Sequence, residues 1–139
     1  MRNYFFSCIF VASIHQKNEK MKLLTRKEEE IMNILWRLEK AFVKDIVAEY
    51  PNPKPHYNTV STTVRLLQDR GIIGYKSYGT TYEYFPLLKK EKYRESFMGH
   101  VIKNYFDNSY KNAATFFASE KLTREEQEEL IRLIKKGSQ

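Results

Sequence analysis

Asn58, Ser61, Thr62 and Arg65 carry an amide, two hydroxyls and a guanidinium at spacings of three and four, within the stretch YNTVSTTVRLLQDRG from Tyr57 to Gly71. On a helix such positions share one face. Val60, Val64 and Leu67 lie one turn apart on the other side, as an apolar stripe that can be buried. Short hydrogen-bonding groups beside a guanidinium suit the edges of bases and the oxygens of phosphates. Asn58, Ser61 and Thr62 are expected near base edges, and Arg65 on a base or a phosphate. Thr59 suits a helix cap or a phosphate, and Tyr57 the sugar and backbone. His56, just ahead, is expected in solvent or near a phosphate rather than on a metal. Farther along, Lys76 and Tyr78 sit where the tip of a hairpin could touch a nucleic-acid backbone.

Catalytic chemistry has little to work with. Cys8 is the one cysteine, which excludes an internal disulfide and a cysteine metal cluster. His15, His56 and His100 lack ligand-like spacing, and neither an HExxH pair nor a glycine-rich phosphate loop occurs. No enzyme activity, metal or cofactor is expected. The formal net charge is +7, unevenly placed. Residues 44–94 hold nine basic and five acidic side chains, a net of +4, whereas residues 107–136 hold six of each. A basic front and a neutral back fit a DNA-reading part joined to a part with another task.

Helices and a hairpin must position these groups. Thr25-Arg26-Lys27-Glu28 is a capping box opening a helix to about Leu38, with Ile31, Leu35 and Leu38 on one face and Met32 and Trp36 beside them. A shorter helix spans about Val43 to Tyr50, and Pro51, Pro53 and Pro55 forbid its continuation. The third helix runs from Tyr57 to Gly71. Two strands, 72–76 and 81–85, flank a Ser77–Thr80 turn, with Tyr82 and Tyr84 on one face and Tyr75 across from them. The layout is a winged helix-turn-helix in residues 23–87.

Pro86 ends the hairpin, and a helix follows from about Lys89. Tyr93, Phe97, Val101, Ile102 and Tyr105 give it more apolar and aromatic surface than a small winged-helix core absorbs. A helix over 110–119 carries Phe116 and Phe117. A second capping box, Thr123–Glu126, opens a last helix with Leu130, Leu133 and Ile134 on one face. Residues 88–136 therefore read as a helical dimerisation domain; the alternative is a three-helix bundle closed within one chain. The fold class is mainly α, a winged helix-turn-helix followed by this module. The chain is read as a homodimeric, DNA-binding repressor in the cytoplasm. The alternative is a winged-helix module that binds another protein.

Tyr4–Ile14 is an apolar run of 11 residues behind Arg2, shorter than the roughly 20 needed to span a bilayer. The run vaguely resembles a signal peptide, but Met21 reads as the better start, with residues 1–20 a mispredicted stretch or a floppy tail. Residues 1–22 as a whole are assigned as a disordered or mispredicted extension ahead of the winged helix.

With these pieces in order, the chain resembles the penicillinase repressor family, the small winged-helix repressors of beta-lactamase, methicillin-resistance and copper-homeostasis genes. The likeness runs from Leu24 to Lys136. It rests on the opening helix with Trp36, the Asn58-Thr59-Val60 start and Leu66-Leu67 end of the third helix, Arg70-Gly71, the Tyr82–Tyr84 strand, Pro86-Leu87 and the Glu120-Lys121-Leu122-Thr123 run. The resemblance implies a homodimer that blocks transcription from a palindromic operator. In antibiotic-responsive members it also implies a membrane-bound sensor metalloprotease as partner and cleavage between asparagine and phenylalanine. The matching bond is Thr115–Phe116, with threonine in place of asparagine. Copper-responsive members carry a cysteine-rich tail, which the closing KKGSQ does not match.

Overall fold

Thr25 opens the first helix, α1 (Arg26–Leu38), through the box its sequence encodes. Its Oγ1 accepts from the Glu28 N–H at 3.4 Å, and Glu28 Oε2 accepts from the Thr25 N–H at 2.8 Å. The structure, a computed structural model, describes residues 22–138. The apolar run Tyr4–Ile14 and the choice of start at Met21 lie outside them. Ile31, Met32, Ile34 and Leu35 are buried on α1, whereas Leu38 packs at the margin of the core, half-buried.

In α2 (Val43–Ala48) the Asp45 carboxylate accepts from the Phe42 N–H at 3.0 Å. The helix stops two residues short of the expected Tyr50, whose N–H turns back to the Val47 carbonyl as Pro51 approaches. The third helix, α3 (Tyr57–Asp69), buries Val60, Val64 and Leu67 as their spacing requires. It ends two residues before Gly71, which takes φ +72° just beyond. There the Ile72 N–H reaches the Leu67 carbonyl and the Gly71 N–H the Gln68 carbonyl, a Schellman closure that needs a residue tolerant of positive φ.

Strands β1 (Ile73–Tyr78) and β2 (Thr81–Pro86) pair antiparallel, with Tyr75 opposite Tyr84 and Tyr78 opposite Thr81. The hairpin is longer and its turn tighter than expected. Ser77 and Tyr78 extend the ladder, leaving Gly79-Thr80 as a two-residue turn with Gly79 at φ +64°. Tyr75 and Tyr82 meet edge-on with ring centroids 4.9 Å apart. Ala41 adds a single bridge to Tyr84, its N–H bonding the Tyr84 carbonyl at 2.9 Å and its carbonyl accepting at 2.8 Å. Three helices around one core with this hairpin form a winged helix-turn-helix.

The described residues fall into two compact units that divide between Ser96 and Phe97, inside α4 (Lys90–Tyr105). Leu88 and Tyr93 belong to the core of the first unit. Trp36 fixes them there: its Nε1–H donates to the Leu88 carbonyl at 2.8 Å, and its ring lies 5.9 Å from that of Tyr93. In the second unit α5 (Tyr110–Glu120) is capped by Ser109, and α6 (Arg124–Gly137) by the Thr123–Glu126 box. Ile102 and Ala113 are its buried apolar residues.

Candidate nucleic-acid interface

Helix α3 starts because His56 caps it. The imidazole Nδ1 accepts from the Asn58 N–H at 3.2 Å, giving one of the first-turn amides a partner. This cap differs from the solvated or phosphate-near role expected for His56 from the sequence. The cap was hard to see because histidine is not among the usual N-cap residues. With the apolar stripe buried, Tyr57, Asn58, Thr59, Thr62 and Arg65 stand exposed and Ser61 half-exposed. The structure thus brings all six predicted α3 residues to the open side of one helix.

Two of the hydroxyls on this helix are already committed. Thr62 Oγ1 donates to the Asn58 carbonyl at 2.8 Å, and Thr63 Oγ1 to the Thr59 carbonyl at 3.1 Å. Asn58 and Arg65 offer the amide and guanidinium that can form paired hydrogen bonds with adenine and guanine edges. Leu66 is 53% exposed on the same helix, a large apolar group that sequence reasoning gave no surface role.

Lys76 and Tyr78 stand exposed on the outer half of β1, and Lys76 Nζ lies 5.1 Å from the centre of the Tyr78 ring. Tyr78 also faces Phe42, at the start of α2, with ring centroids 5.9 Å apart. Lys44 Nζ lies 5.9 Å from the Phe42 ring. Hairpin and α2 together therefore hold two ammonium groups around one aromatic pair, each at cation–π range. Lys44 and Phe42 were not among the predicted residues. The pairing joins Phe42 to Tyr78, a hairpin residue far along the chain, and no local pattern encodes it.

Residues predicted for dimerisation separate by unit. Tyr93 is buried in the first unit's core, and burial pushes its hydroxyl above the ordinary tyrosine range. In the second unit Ile102 is buried and Val101 half-buried. Phe97, Tyr105, Phe116, Phe117, Leu130 and Leu133 are exposed. Phe116 and Phe117 cluster with Phe106, at centroid distances of 5.6 and 6.3 Å. Ile131 and Ile134 extend the exposed apolar side of α6. Thr115 lies within α5, exposed, with its Oγ1 donating to the Lys111 carbonyl at 2.8 Å.

Among the described residues no three His, Cys, Asp or Glu side chains are grouped to hold a metal ion, and no helix is long and apolar enough to cross a membrane. The sequence profile of the family described as Penicillinase repressor matches residues 24–136. A search of curated proteins found no match.

Proposed function

The chain belongs to the penicillinase repressor family, and from that premise we propose that it is a sequence-specific DNA-binding repressor acting as a homodimer on a palindromic operator. The observation that carries this reading is the division of α3 into a buried Val60–Val64–Leu67 side and an open side bearing Asn58, Ser61, Thr62 and Arg65. Helix α3 enters the major groove, where the amide and guanidinium select bases. Lys76, Tyr78 and Lys44 hold the flanking backbone through charge and hydrogen bonding. Such contacts fix register without reading sequence.

Homodimerisation is supported by the second unit, whose helices leave Phe97, Tyr105, Phe116, Phe117, Leu130 and Leu133 in water. A second copy removes such surface at no cost in new sequence. Two α3 helices then address successive major grooves, about 34–36 Å apart. Release from DNA follows cleavage at Thr115–Phe116 by a membrane-bound sensor metalloprotease responding to cell-wall antibiotics. Cutting there detaches α6 and breaks the dimer, so each reading head loses the gain from holding the other.

Selection of binding sites from a random duplex pool with the full chain tests this reading. A two-fold symmetric sequence, bound with an affinity that falls steeply as salt rises, is expected. Binding to another protein that ignores salt and needs no nucleic acid would favour the interaction-module reading instead.

A further inference from the structure

Thr59, Thr62, Thr63 and Leu66 stand at i, i+3, i+4 and i+7 on α3, and so form a strip along the helix. This strip adjoins the strip of Asn58, Ser61 and Arg65. Thr62 sits on the seam between the two.

The two strips offer different chemistry. On the polar strip the Asn58 amide and Arg65 guanidinium bring donors and an acceptor. On the other, the hydroxyl protons of Thr62 and Thr63 are spent on the carbonyls of Asn58 and Thr59. What these threonines retain for a partner is chiefly their methyl groups. Leu66 completes the strip with an isobutyl group that is 53% exposed although Leu67, its neighbour, is fully buried. The major groove holds one apolar feature, the C5-methyl group of thymine, and small apolar or threonine methyl groups are its usual partners.

We propose that Thr59, Thr62 and Leu66 form a methyl-bearing strip that reads thymine C5-methyl groups, so that part of the specificity of α3 comes from apolar contact. This rests on the DNA-binding reading above. It adds a class of base feature and names Leu66 as a specificity-determining residue. Thymines then occupy fixed positions in each half-site, beside the bases held by Asn58 and Arg65.

The test begins with the duplex selected by the full chain. Single thymidines are then replaced by deoxyuridine, which keeps every hydrogen-bonding group and removes only the methyl. At one or more positions per half-site the replacement is expected to weaken binding about fourfold, the worth of one buried methyl group. Leu66→Ala is expected to bind the thymidine and deoxyuridine duplexes alike at one such position. Thr62→Ser keeps the hydroxyl bonded to the Asn58 carbonyl and deletes only the methyl, so it is expected to lose the discrimination at a neighbouring position. A wild-type chain indifferent to every replacement would overturn the inference. So would discrimination that survives both variants. If no sequence is selected, the DNA-binding reading fails as well; a selected sequence without methyl dependence removes this inference alone.

Discussion

Arg70 Nη1 donates to Glu28 Oε1 at 2.7 Å, joining the end of α3 to the first turn of α1 across 42 residues of sequence. Arg70 Nη2 also donates to the Lys22 carbonyl at 2.9 Å. Glu28 is 6% exposed and serves the Thr25 capping box at the same time. One carboxylate thus starts one helix and anchors the end of another. Burial alone would raise the Glu28 pKa, but the Thr25 amide and the Arg70 guanidinium outweigh it and hold the carboxyl below its ordinary value of 4.5. A carboxyl depressed in the folded state adds stability above its unfolded pKa. That stability is lost as pH falls through the lower folded pKa.

Arg70→Ala is therefore expected to destabilise the fold by about 1–3 kcal/mol, because it leaves a buried carboxylate without its cation. It should also move acid unfolding to higher pH. Glu28→Gln should flatten the dependence of stability on pH in the acid range. Urea unfolding followed by circular dichroism at several pH values measures both effects.

His56 supplies the acceptor for the first turn of α3, so His56→Ala is expected to cost about 1 kcal/mol of stability. His56→Asn retains an acceptor at the cap and should recover most of it. Thermal unfolding of the two variants checks the difference. Equal losses in both would show that His56 contributes something other than the cap.

Asn58→Ala and Lys76→Ala should differ in kind. A base contact carries about 1–3 kcal/mol of discrimination, so Asn58→Ala should weaken the selected duplex far more than a random one. Lys76→Ala should weaken both alike and lower the salt slope by about one. Titrations of the two duplexes at several salt concentrations separate these roles.

Leu133 is 58% exposed on α6, so Leu133→Glu leaves the core of the protomer untouched. In sedimentation equilibrium the wild-type chain is expected to be a dimer and this variant a monomer. The variant is expected to bind a two-half-site duplex less tightly, with a smaller loss on a single half-site. A variant that remains dimeric would exclude this side of α6 from the interface.

Cleavage at Thr115–Phe116 requires α5 to open locally, since a protease acts on extended chain. Thr115→Pro removes a backbone donor inside the helix and should open it. In cells exposed to a cell-wall antibiotic, the wild-type chain is expected to lose its intact mass, and the proline variant to lose it faster. Intact chain throughout would count against the proteolytic switch.

Local chemistry made much of this fold legible. Thr25 with Glu28 and Thr123 with Glu126 encode helix starts within four residues, and the Val60–Val64–Leu67 stripe dictates which side of α3 is open. The contacts that tie elements together were not legible. Trp36 reaches the Leu88 carbonyl across 52 positions, and Arg70 reaches Glu28 across 42. The Ala41–Tyr84 bridge is one residue long and leaves no alternation to read. The same holds within the candidate site. Asn58 and Arg65 stood out by type and spacing, whereas Lys44 and Phe42 gain their place from the folded hairpin. Leu67 belongs to the buried stripe by its spacing, but that spacing alone gives Leu66, 53% exposed beside it, no role.

The central claim is that α3 reads DNA in a two-fold symmetric pair. Titration of the full chain against its selected duplex and a random duplex, over a range of salt, measures this most directly. The expected result is tighter binding to a symmetric sequence whose half-sites lie one helical turn or a multiple apart, with affinity falling linearly in the logarithm of salt. Equal affinity for the two duplexes, or binding unmoved by salt, would contradict it.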